Sequence, residues 1–178
     1  IMIKEVLISE DEIRKKVQEL GKEISRDYLD KDILMVVLLR GSFIFAADLI
    51  REIEPNVCVD FLKVSSYEGE ESSGEVRILK DLDENIHDRE VLVVEDIVDT
   101  GLTLSKILEV LMSRNPKSLE ICSLLDKPSR RIRPVGVKYV GFSIPDRFVV
   151  GYGLDVNQKY RQLKEVVVID NDVENQAS

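Results

Sequence analysis

The stretch that decides the fold is Val91-Leu92-Val93-Val94-Glu95-Asp96-Ile97-Val98-Asp99-Thr100-Gly101-Leu102-Thr103-Leu104-Ser105. Four apolar residues run into two adjacent carboxylates, a third carboxylate follows three positions later, and Thr100 to Thr103 opens an amphipathic pattern. A continuous apolar run rich in Val reads as a strand buried on both faces of a parallel sheet, followed by a turn into a helix. Ligands of open α/β sheets gather beyond the carboxyl ends of such strands, so function is expected at and just after Glu95.

The flanks agree with that reading. Leu104, Ile107, Leu108 and Leu111 recur at helical spacing, and Asn115-Pro116 stops the helix. Upstream, residues 33 to 39 form a second buried strand that ends at Arg40-Gly41-Ser42, and Phe43 to Ile50 continue as a helix. Ser9-Glu10-Asp11-Glu12 is a capping box after a short strand over 3 to 8, and Ile13, Val17, Leu20 and Ile24 carry a first helix to about Tyr28. Further strands are expected over 57–64, 76–79, 117–125, 137–142 and 166–169. Strands alternating with helices indicate the α/β class, with a central, mainly parallel sheet flanked by helices. One domain over 1–170 is expected, with 171–178 a polar tail that frays.

Composition narrows the function. The chain has 178 residues, 44% of them apolar, and a net charge of −9. Nucleic-acid binding normally needs a basic face, so it is disfavoured. The longest apolar run, 33 to 39, is too short to cross a bilayer, and a cytoplasmic protein with no membrane partner is expected. Cys58 and Cys122 lack any C-x-x-C spacing and read as buried free thiols. His87 stands alone in a charged connection, which leaves no histidine cluster and no Ser/Cys–His pair.

Adjacent residues of a strand point to opposite faces, so the chain is expected to bend at Glu95-Asp96 if both carboxylates are to meet one ligand. Carboxylates so placed need a hard cation such as Mg²⁺ or a hydroxyl-rich ligand. Asp99 to Thr103 offers small residues, hydroxyls and the free N–H groups of a helix start, which suit a phosphate monoester; simple helix capping by Asp99 or Thr100 is the alternative. Arg40-Gly41 could hold a second anion, although spacing alone favours a helix-starting turn. Residues 65 to 75, rich in Ser, Gly and Glu, form either a disordered hairpin loop or a mobile lid. Arg130, Arg131 and Arg133 read as a solvated basic turn.

The motif over Val93 to Thr103 resembles the phosphoribosyl-pyrophosphate motif of type I phosphoribosyltransferases. Leu39-Arg40-Gly41-Ser42, Ser65-Ser66-Tyr67, Ser123-Leu124-Leu125-Asp126-Lys127 and Pro145 to Asp155 through Arg161 are similar to the hypoxanthine-guanine, or 6-oxopurine, branch of that family. The resemblance implies the family's fold, with a small hood and a lid over about 65–75, and transfer of ribose 5-phosphate from 5-phosphoribosyl 1-pyrophosphate to N9 of hypoxanthine or guanine with Mg²⁺. It implies that Glu95 and Asp96 hold the ribose hydroxyls and metal. Asp99, Thr100, Gly101, Leu102 and Thr103 would cradle the 5′-phosphate. Arg40, Gly41 and Arg161 would bind pyrophosphate, with a cis peptide often found at the Arg40-Gly41 position and Arg40 replacing a more usual Lys. Ser66 and Tyr67 would close over the pyrophosphate. Phe148 would stack on the purine beside Arg147, Val149 would read its edge, and Lys127 would donate to O6. Asp155 would bind a second Mg²⁺ near the base, and Asp99 would act as general base at N7. A homodimer or homotetramer is also implied.

Overall fold

Strand β2 (Ile33–Leu38) has all six side chains buried, because it lies inside a sheet covered on both faces. The computed structural model describes residues 2–66 and 75–170. In it β2 pairs in parallel with β3 (Val57–Ser66) on one side and β5 (Glu90–Val98) on the other. The main sheet runs β4-β3-β2-β5-β6-β7, with β6 (Ser118–Asp126) and β7 (Tyr139–Ser143) parallel and the edge strand β4 (Val76–Lys80) antiparallel. One face, including Ile33, Met35 and Val37, packs with α1 (Glu10–Asp27) and α2 (Phe43–Ile50). The other, including Leu34, Val36 and Val93, packs with α3 (Leu102–Met112). This is the expected mixed α/β architecture. No described helix is long and apolar enough to cross a membrane.

The capping box forms as read: Ser9 Oγ accepts from the Glu12 N–H at 3.1 Å, and Glu12 Oε1 accepts from the Ser9 N–H at 3.2 Å. Arg114 closes a bidentate pair with Asp81 at 2.8 Å, which holds the Asp81 carboxyl below its ordinary range. Of the cysteines expected to be buried, Cys122 is, but Cys58 in β3 is exposed, ahead of the part of that strand that β4 covers from Lys63.

Taken in order across the sheet, the parallel strands β3, β2, β5, β6 and β7 reverse direction of progression between β2 and β5. Chains of this winding leave a crevice at that switch point, beyond the carboxyl ends of the two strands. Its two walls here are the turn after β2 and the Glu95-Asp96 segment of β5.

A second sheet of three strands, β1-β9-β8, forms the small hood. Here β9 (Val166–Ile169) pairs antiparallel with both β1 (Ile3–Ile8) and β8 (Val149–Val150). The two residues of β8 are too few to show a periodicity, and no strand was expected there from sequence.

Candidate active site at the sheet's switch point

One expectation requires correction first. The chain does not bend at Glu95-Asp96: β5 continues to Val98, still in register with β6 through Glu95↔Ser123, Ile97↔Leu125 and Val98↔Asp126. The ladder from β5 to β2 ends earlier, at Val37↔Val94. Beyond it the two carboxylates fold back on the backbone, Glu95 Oε1 accepting from the Asp96 N–H at 3.0 Å and Asp96 Oδ1 from the Ile97 N–H at 2.7 Å. Both acids meet the turn after β2 while the ladder to β6 continues past them.

The turn after β2 faces them. Buried Ser42 donates from Oγ to Glu95 Oε1 at 3.4 Å, and a Cβ on Gly41 would fall inside the Asp96 carboxylate. A side chain at position 41 would displace the Asp96 carboxylate from this wall. Burial pushes both carboxyl groups up from their ordinary values, and the Asp96 charge pushes Glu95 further; for Asp96, hydrogen bonds and the Arg161 charge oppose the effect of burial. Two desolvated acids side by side form a site that gains from a cation or from hydroxyl donors. Among the described residues no group of three or more His, Cys, Asp and Glu side chains gathers as a metal site. The pair still suits Mg²⁺, which takes one or two carboxylates and completes its shell with ligand oxygens and water.

The cis peptide among the described residues lies at Leu39–Arg40, one bond before the Arg40–Gly41 bond to which the resemblance pointed. Arg40 sends Nη1 to Gln158 Oε1 at 2.9 Å, and Arg161 sends Nη2 to the same oxygen at 2.8 Å. Arg161 also donates to the Gly153 carbonyl and lies 3.4 Å from Asp155 Oδ2. Asp155 therefore stands beside a guanidinium, and its Oδ2 accepts from the Gln158 N–H at 2.7 Å.

After β5, Gly101 takes φ +82° and α3 begins without a side-chain cap from it. Any side chain at Gly101 would strike the Arg133 carbonyl. Thr100 Oγ1 accepts from the Leu102 N–H at 3.3 Å, so Thr100 orders the turn into α3. Leu102 and Thr103 open that helix.

The basic loop is not a merely solvated turn. Arg130 Nε binds Asp99 Oδ1 at 3.1 Å, Arg131 Nε donates to the Asp99 carbonyl at 3.0 Å, and the Arg131 guanidinium also pairs with Asp126. The Asp99 carboxylate accounts for a raised Arg130. Lys127, 8% exposed, donates its N–H to the Val98 carbonyl at 2.9 Å. Its Nζ stands 3.7 Å from Asp146 Oδ1, and Arg130 Nη1 stands 3.7 Å from Asp146 Oδ2. An alternating chain Asp99–Arg130–Asp146–Lys127 results.

The remaining candidates divide. Phe148 packs on Val150, Val156, Val167 and Ile169, and Val149 lies in β8, whose outer edge carries no partner strand among the described residues. The Arg147 guanidinium is 2.7 Å from Glu5 of β1 and so anchors the hood. Ser66 ends β3 opposite Val76. Tyr67, with most of the expected lid over 65–75, lies outside the described residues, as does 171–178. Sequence reasoning missed Ser42, Gln158 and the Arg130–Asp146 link. None belongs to a residue type that spacing alone assigns to such a site.

The model of the phosphoribosyl transferase domain matches residues 7–157. The chain belongs to the phosphoribosyltransferase family. It is 54% identical over 172 residues to the hypoxanthine phosphoribosyltransferase of Escherichia coli K12, covering 93% of this chain and 97% of that one. It is 49% identical to the hypoxanthine-guanine phosphoribosyltransferase of Staphylococcus epidermidis, over 96% of each. A crystal structure of a hypoxanthine-guanine phosphoribosyltransferase from Bacillus anthracis superposes with a TM-score of 0.93 at 47% identity, over 95% of this chain and 100% of that one. Within the type I phosphoribosyltransferase fold, the crevice described above occupies the switch point of the main sheet. Gln158 and Arg161 lie just past the end of the family match.

Proposed function

We propose that this chain is a purine-salvage hypoxanthine/guanine phosphoribosyltransferase. It moves the 5-phosphoribosyl group of 5-phospho-α-D-ribose 1-diphosphate to N9 of hypoxanthine or guanine, giving IMP or GMP and diphosphate. The observation that carries this reading is a half-buried acid pair, a helix start ordered by Thr100 and a shielded lysine at adjacent strand ends.

In this reaction the C1′–O bond to diphosphate breaks, the C1′–N9 bond forms, and the purine gives up a proton. Glu95 and Asp96 hold the ribose hydroxyls and Mg²⁺, with Asp155 the candidate for a second ion. When bound, Mg²⁺ neutralises charge on the departing diphosphate. Asp99 through Thr103 bind the 5′-phosphate by the helix-start N–H groups. Arg40, Gly41 and Arg161 bind diphosphate, with Ser66 and Tyr67 closing from β3. Asp99 accepts the purine proton at N7, worth roughly 10² to 10⁴ in rate. Arg130 engages one of its oxygens, Oδ1, so the other is the one offered to the base.

The purine stacks on Phe148, and Val149 of β8 reads the ring edge, with Arg147 tying this segment to Glu5 of β1. Lys127 donates to O6. Lysine has no acceptor, so an exocyclic amine in that place finds no partner and adenine is rejected. The reading includes a homodimer or homotetramer, supported by exposed Phe43, Val59 and Phe61, and a cytoplasmic setting, supported by two free cysteines.

The test is incubation with phosphoribosyl pyrophosphate, Mg²⁺ and each of hypoxanthine, guanine, xanthine and adenine, reading nucleotide formed. Product with hypoxanthine or guanine and none with adenine is expected. No product with any base would overturn the reading.

A further inference from the structure

Gln158 occupies a position that local chemistry does not favour. The N–H and C=O groups of Val156 and Lys159 bond each other at 3.1 and 3.0 Å, closing a two-residue hairpin turn over Asn157 and Gln158. Both turn residues have positive φ, +52° and +68°. Asn is at home at the first such position, and the second is ordinarily Gly, because a side chain there is strained. A residue that breaks its local rule calls for a compensating role.

That role is visible in what its side chain does. The single oxygen Oε1 accepts from Arg40 Nη1 at 2.9 Å and from Arg161 Nη2 at 2.8 Å, so both lone pairs are used. Exchanging the amide N and O would set donor against donor, which fixes the amide orientation. The Gln158 N–H is tied to Asp155, which itself stands beside Arg161. Arg40 is 118 residues away in sequence, in the turn after β2. Two guanidiniums would otherwise repel each other, and free arginine side chains lose considerable rotamer entropy on binding a ligand.

We infer that Gln158 is a positioning residue that holds Arg40 and Arg161 converged for the diphosphate of the donor, and that the Arg at position 40 works together with it. The inference rests on the proposed reaction. A lysine at position 40 would present a point charge and would need no such planar acceptor.

Two variants separate positioning from structural support. Gln158→Gly relaxes the turn and is expected to keep or raise Tm, while Gln158→Ala keeps the φ penalty and does not raise it. Both should weaken binding of Mg²⁺-pyrophosphate, measured by calorimetry, by about tenfold, the scale of one hydrogen bond to a charged group. KM for phosphoribosyl pyrophosphate should rise in step, with KM for hypoxanthine unchanged. In an Arg40→Lys background the effect of Gln158→Gly should shrink to about twofold or less, since the shared acceptor has lost one partner. Pyrophosphate affinity within twofold of wild type in Gln158→Gly, with wild type forming nucleotide, would overturn this inference alone. Wild type forming no nucleotide would remove the reaction and this inference together.

Discussion

Replacing Asp99 by Asn tests the chemistry with little change of shape. Asn retains an oxygen that can accept from Arg130 Nε, and the bond from Arg131 goes to the Asp99 backbone carbonyl, which the substitution does not touch. The phosphate-facing turn depends on Thr100 and Gly101 and also survives. The lost ion pair is between side chains 48% and 44% exposed, a class of pair worth about 0–1 kcal/mol. For a chain of this size that is a Tm shift of at most about 4 °C. Loss of a general base, in contrast, costs about 10² to 10⁴ in rate, or about 3–5 kcal/mol of barrier. The expected Asp99→Asn protein therefore melts within a few degrees of wild type, keeps its KM for phosphoribosyl pyrophosphate within about threefold, and loses at least about a hundredfold in kcat. Steady-state kinetics with both substrates varied, together with a melting curve, decide the matter. A kcat within threefold of wild type would place the base elsewhere, and a collapse of Tm with a raised KM would make Asp99 a structural residue.

Other outcomes follow from the same geometry. Lys127→Gln supplies an acceptor beside the expected O6 position and should let adenine react measurably; continued exclusion in a competition assay would place O6 readout on another group. Gly101→Ala forces a side chain into φ +82° and against the Arg133 carbonyl, so it should lose at least about 2 kcal/mol in urea unfolding and weaken 5′-phosphate binding. Glu95 has a folded-state pKa raised above its unfolded value, so its penalty is absent at low pH and grows as pH rises above the ordinary glutamate range. Metal-free wild type should therefore lose Tm relative to Glu95→Gln as pH is raised from 5 to 8, and equal slopes would refute the assigned cause.

The legible parts of the chain were those fixed by local pattern. The run Val91 to Val94 announced a strand buried on both faces, and Ser9 with Glu12 announced a helix start that forms atom for atom. Long-range pairing was not legible. Acidic residues look like strand terminators, yet the ladder to β6 carries β5 through Glu95 and Asp96 to Val98, because backbone pairing does not depend on side-chain polarity. Arg130 and Arg131 looked solvated because their partners, Asp99 and Asp126, are brought to them only by the sheet. Gln158 gave no signal, since its meaning depends on an arginine 118 residues away in sequence.

The hood joins the two extremes of the described chain, pairing Ile3 with Ile169. Such contacts have the greatest sequence separation and the highest loop-closure cost, so they form late in folding. The main-sheet strands β2, β5 and β6 are complete by Asp126. Strand β8 gains its partner only when Val166–Ile169 has left the ribosome. During synthesis, then, the strands that end at the acid pair are complete before the hood, which closes only once both ends of the described chain are present.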